Sequence, residues 1–150
     1  MPSLTPFLMF NAPMPEVVTF YKSVFRDDAD ILSDGTGGGA AFSLCGQRFN
    51  AFNGGPHFSF SQGVSFMVTV GTQDEIDYYW TALSADGGKP LQCGWVTDRF
   101  GLPWQIVPEH LGRYLSDPDR EKAGRAMQAM MGMGKLDIAG LTTAFEGTAQ

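Results

Sequence analysis

The chain is poor in nearly every residue type on which catalytic motifs are built. It has two cysteines and two histidines among its 150 residues. Cys45 and Cys93 are too far apart for a CxxC pair and too few for a disulfide framework, so they are expected to be reduced core thiols of a cytoplasmic protein. His57 and His110 form no HxH, HExxH or HxxxH spacing, which excludes a zinc site built from one local motif. No serine lies in GxSxG. Basic residues are also scarce: 10 Lys and Arg against 16 Asp and Glu give a net charge of −6. Nucleic acid and anionic membrane both need a basic footprint, so neither is expected as a partner. No apolar run approaches the roughly 20 residues of a spanning helix. The opening MPSLTPFL has no basic region leading into an apolar stretch, so no signal peptide is visible.

Glycine is abundant, and Gly35-Thr36-Gly37-Gly38-Gly39 invites a phosphate-loop reading. Such a loop must lead into a helix whose first amides hold the anion. Here it leads into AAFSLCGQRF, which is strand-like, and no Lys-Ser or Lys-Thr pair follows. A hairpin or loop is the expectation, and no nucleotide or methyl-donor cofactor is called for. Apolar residues make up 43% of the chain and aromatics 13%, enough to fill a core.

The chain carries a faint copy of itself. FLMFNAPMPEVVTFYKSV (7–24) is followed 59 positions later by FMVTVGTQDEIDYYWTAL (66–83), and GQRFNAFN (46–53) aligns 55 positions later on GLPWQIVP (101–108). Each half begins with a strand and a helix and ends in a strand. Leu4–Phe10 reads as a strand. Pro13 and Pro15 mark a helix start, and Val17, Phe20, Tyr21 and Val24 recur at helical spacing. Asp30–Ser33 is a strand, and Ala40–Leu44 with Gln47–Phe52 makes a hairpin about Cys45-Gly46. Val64–Val70 opens the second half. Thr72 and Glu75 make a capping box, with Ile76, Tyr79, Trp80 and Leu83 on the buried face. Strands are expected over Lys89–Cys93, Gly94–Thr97 and Leu102–Val107. Three helices then follow, over His110–Leu115, from Asp117 to Met131 and over Asp137–Glu146. Met127, Met130 and Met131 share one face of the middle one.

The phrases TPFLMF, TFYKSVF, FNGGPHFSF, QCGWVTDRFGLPWQIVP, LSDPD and AMMGMGKLDIAGL resemble, in order and spacing, the PhnB-like branch of the vicinal oxygen chelate superfamily. That superfamily includes glyoxalases and bleomycin-resistance proteins. Members of the branch often carry the name demethylubiquinone methyltransferase-like. The resemblance implies an α+β fold of paired β-α-β-β-β modules, 1–60 and 61–108, with a helical extension over 109–150. It implies a homodimer. In metal-dependent relatives four His or Glu side chains hold a divalent ion, and the corresponding positions here are Pro6, Asn50, Ser65 and Gln105. None of these is anionic or an imidazole, so no metal is expected.

Strand alternation sorts the residues by face. Leu8, Arg48, Asn50, Phe52, Ser65, Met67 and Gln105 are expected on the concave side, with His57 and Trp95 at the rim. Phe7, Met9, Phe49, Ala51, Phe66, Val68, Trp104 and Ile106 are expected to face the helices. The concave set is apolar with a few neutral hydrogen-bonding groups and one Arg, the composition of a small-molecule pocket. The expected function is binding of an unknown small molecule, planar or aromatic, without metal. The alternatives are an enzyme, either with a metal bound through His57 or with metal-free proton transfer, and the methyltransferase of the family name. The tail adds a second argument for a dimer. Met127, Met130, Met131, Ile138, Leu141 and Phe145 present more apolar area than one two-layer domain is expected to cover.

Overall fold

Two prolines set the first helix. Pro13 is its N-cap, with φ −62°, and Pro15 lies in the first turn, where a missing N–H costs nothing. Helix α1 (Met14–Phe25) then buries Met14, Val17, Val18, Phe20, Tyr21, Val24 and Phe25, a broad stripe at helical spacing. The computed structural model describes residues 1–147; residues 148–150 of the expected extension lie outside the described residues. It contains two compact units, Met1–Phe60 and a second beginning at Ser61.

The first unit runs β1 (Phe7–Phe10), α1, β2 (Ala29–Asp34), β3 (Ala40–Leu44) and β4 (Gln47–Asn53). Its sheet order is β1-β4-β3-β2. β1 lies parallel to β4, and the β3–β4 and β2–β3 pairs are antiparallel. The core is aromatic: Tyr21 stacks on Phe42 with centroids 5.8 Å apart, and Phe42 on Phe49 at 5.7 Å. Each such ring, fully buried, contributes about 1.5–3 kcal/mol. The β3–β4 hairpin turns at Cys45-Gly46, with φ of +51° and +83°, both left-handed as a two-residue hairpin loop requires. Cys45 is therefore at an exposed turn and not in the core as expected. The Gly35–Gly39 run does lead into a strand. Gly35 has φ +84°, and a Cβ there would overlap the Cβ of Met14, so the loop is pinned against the start of α1.

The second unit repeats the order: β5 (Phe66–Val70), α2 (Gln73–Leu83), β6 (Lys89–Pro90), β7 (Trp95–Thr97) and β8 (Pro103–Pro108). Its sheet order is β5-β8-β7-β6, with β5 parallel to β8. The fold is thus α+β, with two β-α-β-β-β modules. Thr72 caps α2 by accepting the Glu75 N–H at 3.2 Å, and the Glu75 carboxylate accepts the Gly71 N–H in return. On α2 only Ile76 and Leu83 are fully buried; Tyr79 and Trp80 are half-buried. Strand β6 is shorter than the expected Lys89–Cys93. The N–H groups of Cys93 and Gly94 are donated instead to the carbonyls of Met133 and Gly134, at 2.8 Å each.

Those bonds belong to the tail, which forms α3 (Leu111–Leu115), α4 (Arg120–Met131) and α5 (Ile138–Glu146). The middle helix starts later than Asp117, because Asp119 is its cap, accepting the N–H groups of Glu121 and Lys122. Arg125 of α4 donates to the carbonyls of Ala144 and Phe145, closing the C-terminal end of α5. The Gln73 side chain holds the tail from both sides, donating to the Leu136 carbonyl and accepting the Ile138 N–H. Lys135 pairs with Asp77 at 2.8 Å. Val107, Leu111, Leu136 and Leu141 form one buried cluster with Tyr114, Leu115, Met130 and Met133 packed on it. The tail therefore hides most of its apolar area within its own unit. Met127 and Met131 stay exposed, at 41% and 63%.

Candidate functional site

The register of the parallel pairs decides which side chains share a face. In the second unit Met67 lies opposite Gln105, and in the first Phe7 lies opposite Asn50. Since Asn50 and Gln105 are equivalent, Phe7 corresponds to Met67, 60 positions apart, while the helices remain 59 apart. The cause is the link between strand and helix. Asn11, Ala12 and Pro13 separate β1 from α1, whereas only Gly71 and Thr72 separate β5 from α2. A one-residue slip moves every side chain of a strand to the opposite face.

The face assignment of β1 is corrected accordingly. Leu8 lies opposite Ala51 and is buried with it on the helix side, as is Phe10. Phe7, 59% exposed, and Met9 take the open face instead. The counterpart of Ser65 becomes Thr5 in place of Pro6. The helix-side positions of Phe49, Ala51, Val68, Trp104 and Ile106 are as expected, all buried.

On the first unit's open face Arg48 and Asn50 come together, the guanidinium donating to the Asn50 side-chain oxygen at 3.3 Å. Phe52 lies beside them in the alternation and is 42% exposed. His57 sits in an exposed 3-10 turn, Gly55–His57.

On the second unit's open face Gln105 donates its side-chain amide to the Ser65 hydroxyl at 2.9 Å. Met67, Trp95 and Gln105 line a cavity of about 410 Å³. Thr69 and Val107 extend the same face, each two residues further along its strand, and Cys93 stands at the edge. The rest of the lining comes from Pro108 at the end of β8 and from the tail: Glu109, then Leu111, Gly112 and Leu115 of α3, and Met130 of α4. Alternation reaches Thr69 and Val107 once Met67 and Gln105 are placed. Nothing local in the sequence points the tail residues at this face.

The neutral set at the superfamily's metal positions does not fit a divalent ion. Gln105 and Ser65 are hydrogen-bonded to each other, Asn50 receives Arg48, and neither Pro6 nor Thr5 supplies an anion or an imidazole. Among the described residues no group of three His, Cys, Asp or Glu could hold a metal ion.

Comparison with known proteins agrees with this architecture. The family model for 3-demethylubiquinone-9 3-methyltransferase matches residues 2–107. The PhnB protein from Bacillus cereus is 29% identical, with a TM-score of 0.61 over 71% of this chain and 99% of that one. A protein from Pseudomonas aeruginosa shares the fold at 20% identity and a TM-score of 0.57, covering 73% of this chain and 98% of its own. So does the fosfomycin resistance protein FosX from Listeria monocytogenes, solved with Mn(II) and sulfate, at 15% identity and a TM-score of 0.54 over 76% of this chain and 98% of that one. Among curated proteins none matches. With two β-α-β-β-β modules in a fold it shares with PhnB and FosX, and with more than half of its length under the family model, the chain belongs to the 3-demethylubiquinone-9 3-methyltransferase family.

Proposed function

We propose that this protein is a metal-independent, cytoplasmic small-molecule-binding protein whose ligand sits on the open face of the second module. The observation that carries the reading is the cavity of about 410 Å³ over Met67, Trp95 and Gln105. Its size lies in the range of small-molecule sites, and its walls are mainly apolar with a few convergent polar groups. An aromatic ligand would stack on Trp95. The Gln105 amide and Ser65 hydroxyl would orient its polar atoms. Arg48, Asn50 and Phe52 offer a similar set on the first module's open face, and Phe7 replaces Leu8 as the apolar contributor there.

The family description names methyl transfer. The glycine run leads into β3 and supplies no helix N-terminus for a methyl donor, so binding is the better-supported reading. The protein is further proposed to be a homodimer. Its exposed apolar side chains include Met127 and Met131 on one face of α4, and a twofold contact needs a single self-complementary patch.

Native mass spectrometry of protein purified without chelator tests metal content, ligand and subunit count together. The expected species is a dimer of 16.3 kDa chains with no divalent metal and with an organic adduct that Gln105→Ala or Trp95→Ala removes. About one Zn, Mn, Ni or Fe per chain would overturn the metal-free reading. Monomer alone at micromolar concentration would overturn the dimer.

A further inference from the structure

The match to the family model ends at residue 107, one residue before the end of β8. The residues that follow supply half of the described residues lining the cavity. We propose, building on the site read above, that the C-terminal helices are the specificity wall of the cavity and restrict it to neutral or cationic apolar molecules.

Three observations carry this. The tail is held firmly enough to act as a wall. Gln73 bonds it at two points, the backbone of residues 93–94 bonds it at two more, and its own Leu136 and Leu141 are fully buried. Its contribution to the lining is apolar: Leu111, Leu115 and Met130 line the cavity together with Met67, Trp95 and Val107 of the sheet, and they pack around Val107. Methionine on both walls suits ligands of irregular outline, because its unbranched chain adapts to the gap it meets. Finally, among the described residues Glu109 is the one charged residue lining the cavity. Its exposed carboxylate lies near Gly71 with that of Glu75, and this negative end of the cavity repels an anionic ligand and attracts an ammonium group.

Gly112 offers a way to test the wall without breaking the fold. It lines the cavity from α3, and a Cβ built on it meets nothing within 4 Å. Leucine is also the better helix former. The full chain and its Gly112→Leu, Met130→Ala and Glu109→Gln variants would be titrated calorimetrically with 4-hexylphenol, hexylammonium and hexanoate. Thermal melting would check that each variant is folded. The expected result is that Gly112→Leu weakens 4-hexylphenol about tenfold, the loss of roughly 1.4 kcal/mol of contact. Met130→Ala removes apolar lining and should weaken 4-hexylphenol severalfold. Hexylammonium should bind more tightly than hexanoate, and Glu109→Gln should narrow that gap.

Wild-type binding with all three variants within twofold for every probe would overturn the wall while leaving the site itself intact. Equal binding of hexylammonium and hexanoate would overturn the charge preference. Absence of any probe binding to the wild-type chain would sink the reading of the site, and the wall with it.

Discussion

The indole N–H of Trp104 donates to the carboxylate of Asp98 at 2.9 Å, and both residues are buried. The other carboxylate oxygen accepts the N–H groups of Phe100 and Leu102, at 2.9 and 3.1 Å. One aspartate thus shapes the turn between β7 and β8 and anchors the strand that carries Gln105. Asp98→Ala leaves these donors without it in the interior. We expect a loss of about 3 kcal/mol in urea unfolding, with Asp98→Asn in between because its single carbonyl oxygen can serve only part of the set.

Gly35→Ala should destabilise the first unit by about 2 kcal/mol or more, since it combines a left-handed φ with overlap against Met14. Gly37→Ala is the control. It has no such φ, and an added Cβ meets nothing within 4 Å, so its melting temperature should stay close to wild type. Equal effects of the two changes would refute the pinning of the loop.

Cys45→Asn should stabilise the β3–β4 hairpin by about 0.5 kcal/mol, because Asn-Gly suits the paired left-handed turn better than Cys-Gly. The Cys45 thiol is raised above its ordinary value of 9.0 by partial burial and, secondly, by Asp28. Alkylation of Cys45 by iodoacetamide should therefore be slow at pH 7 although the residue is exposed, and it should speed up above pH 9. Rapid modification at neutral pH would contradict this.

The tail is also held by a titratable contact. The Asp77 carboxylate receives Lys135 at 2.8 Å and Gln73 at 3.1 Å, and these hydrogen bonds lower its pKa below the ordinary 3.8, Lys135 first. A lowered aspartate pKa means the stabilisation is complete above that ordinary value and is lost as pH falls through the lowered one. The methyl resonances of Leu136 and Ile138 should stay unchanged from pH 7 to pH 5 and shift only in strong acid. Both partners are nearly half exposed, at 42% and 45%, so the contribution is modest and salt-sensitive. Asp77→Asn should mimic the acid shift at pH 7, and its failure to do so would remove Asp77 from the clamp.

Truncation after Asp117 removes α4 and α5 and with them the cover over Val107 and Leu111. The shortened chain should aggregate or melt at lower temperature, as scattering during a thermal ramp would show. A soluble chain with an unchanged melting temperature would mean that the tail adds nothing to the second unit.

Much of the fold was legible in the residues. Pro13-Met14-Pro15, the Thr72–Glu75 capping box and the Cys45-Gly46 turn are local chemistry, and local chemistry needs no knowledge of the rest of the chain. The repeat announced two modules because each half carries the same order of apolar strand, amphipathic helix and closing strand. The face of β1 was not legible. It depends on one extra residue in the link before α1, and the side-chain period of a strand is two, so an error of one residue inverts the face of Leu8.

What the sequence by itself determined is therefore the α+β modules, the neutral character of the Asn50, Ser65 and Gln105 positions, and the apolar stripe of the tail. Only the tertiary structure decided where that stripe goes. Burial of apolar area is non-directional, so Met130, Leu136 and Leu141 specify that they will be covered but not by what. The direction comes from hydrogen bonds between distant segments, Gln73 to Leu136 and Ile138, and Cys93 and Gly94 to Met133 and Gly134. Those bonds lay the tail along the second sheet and leave a cavity over Gln105.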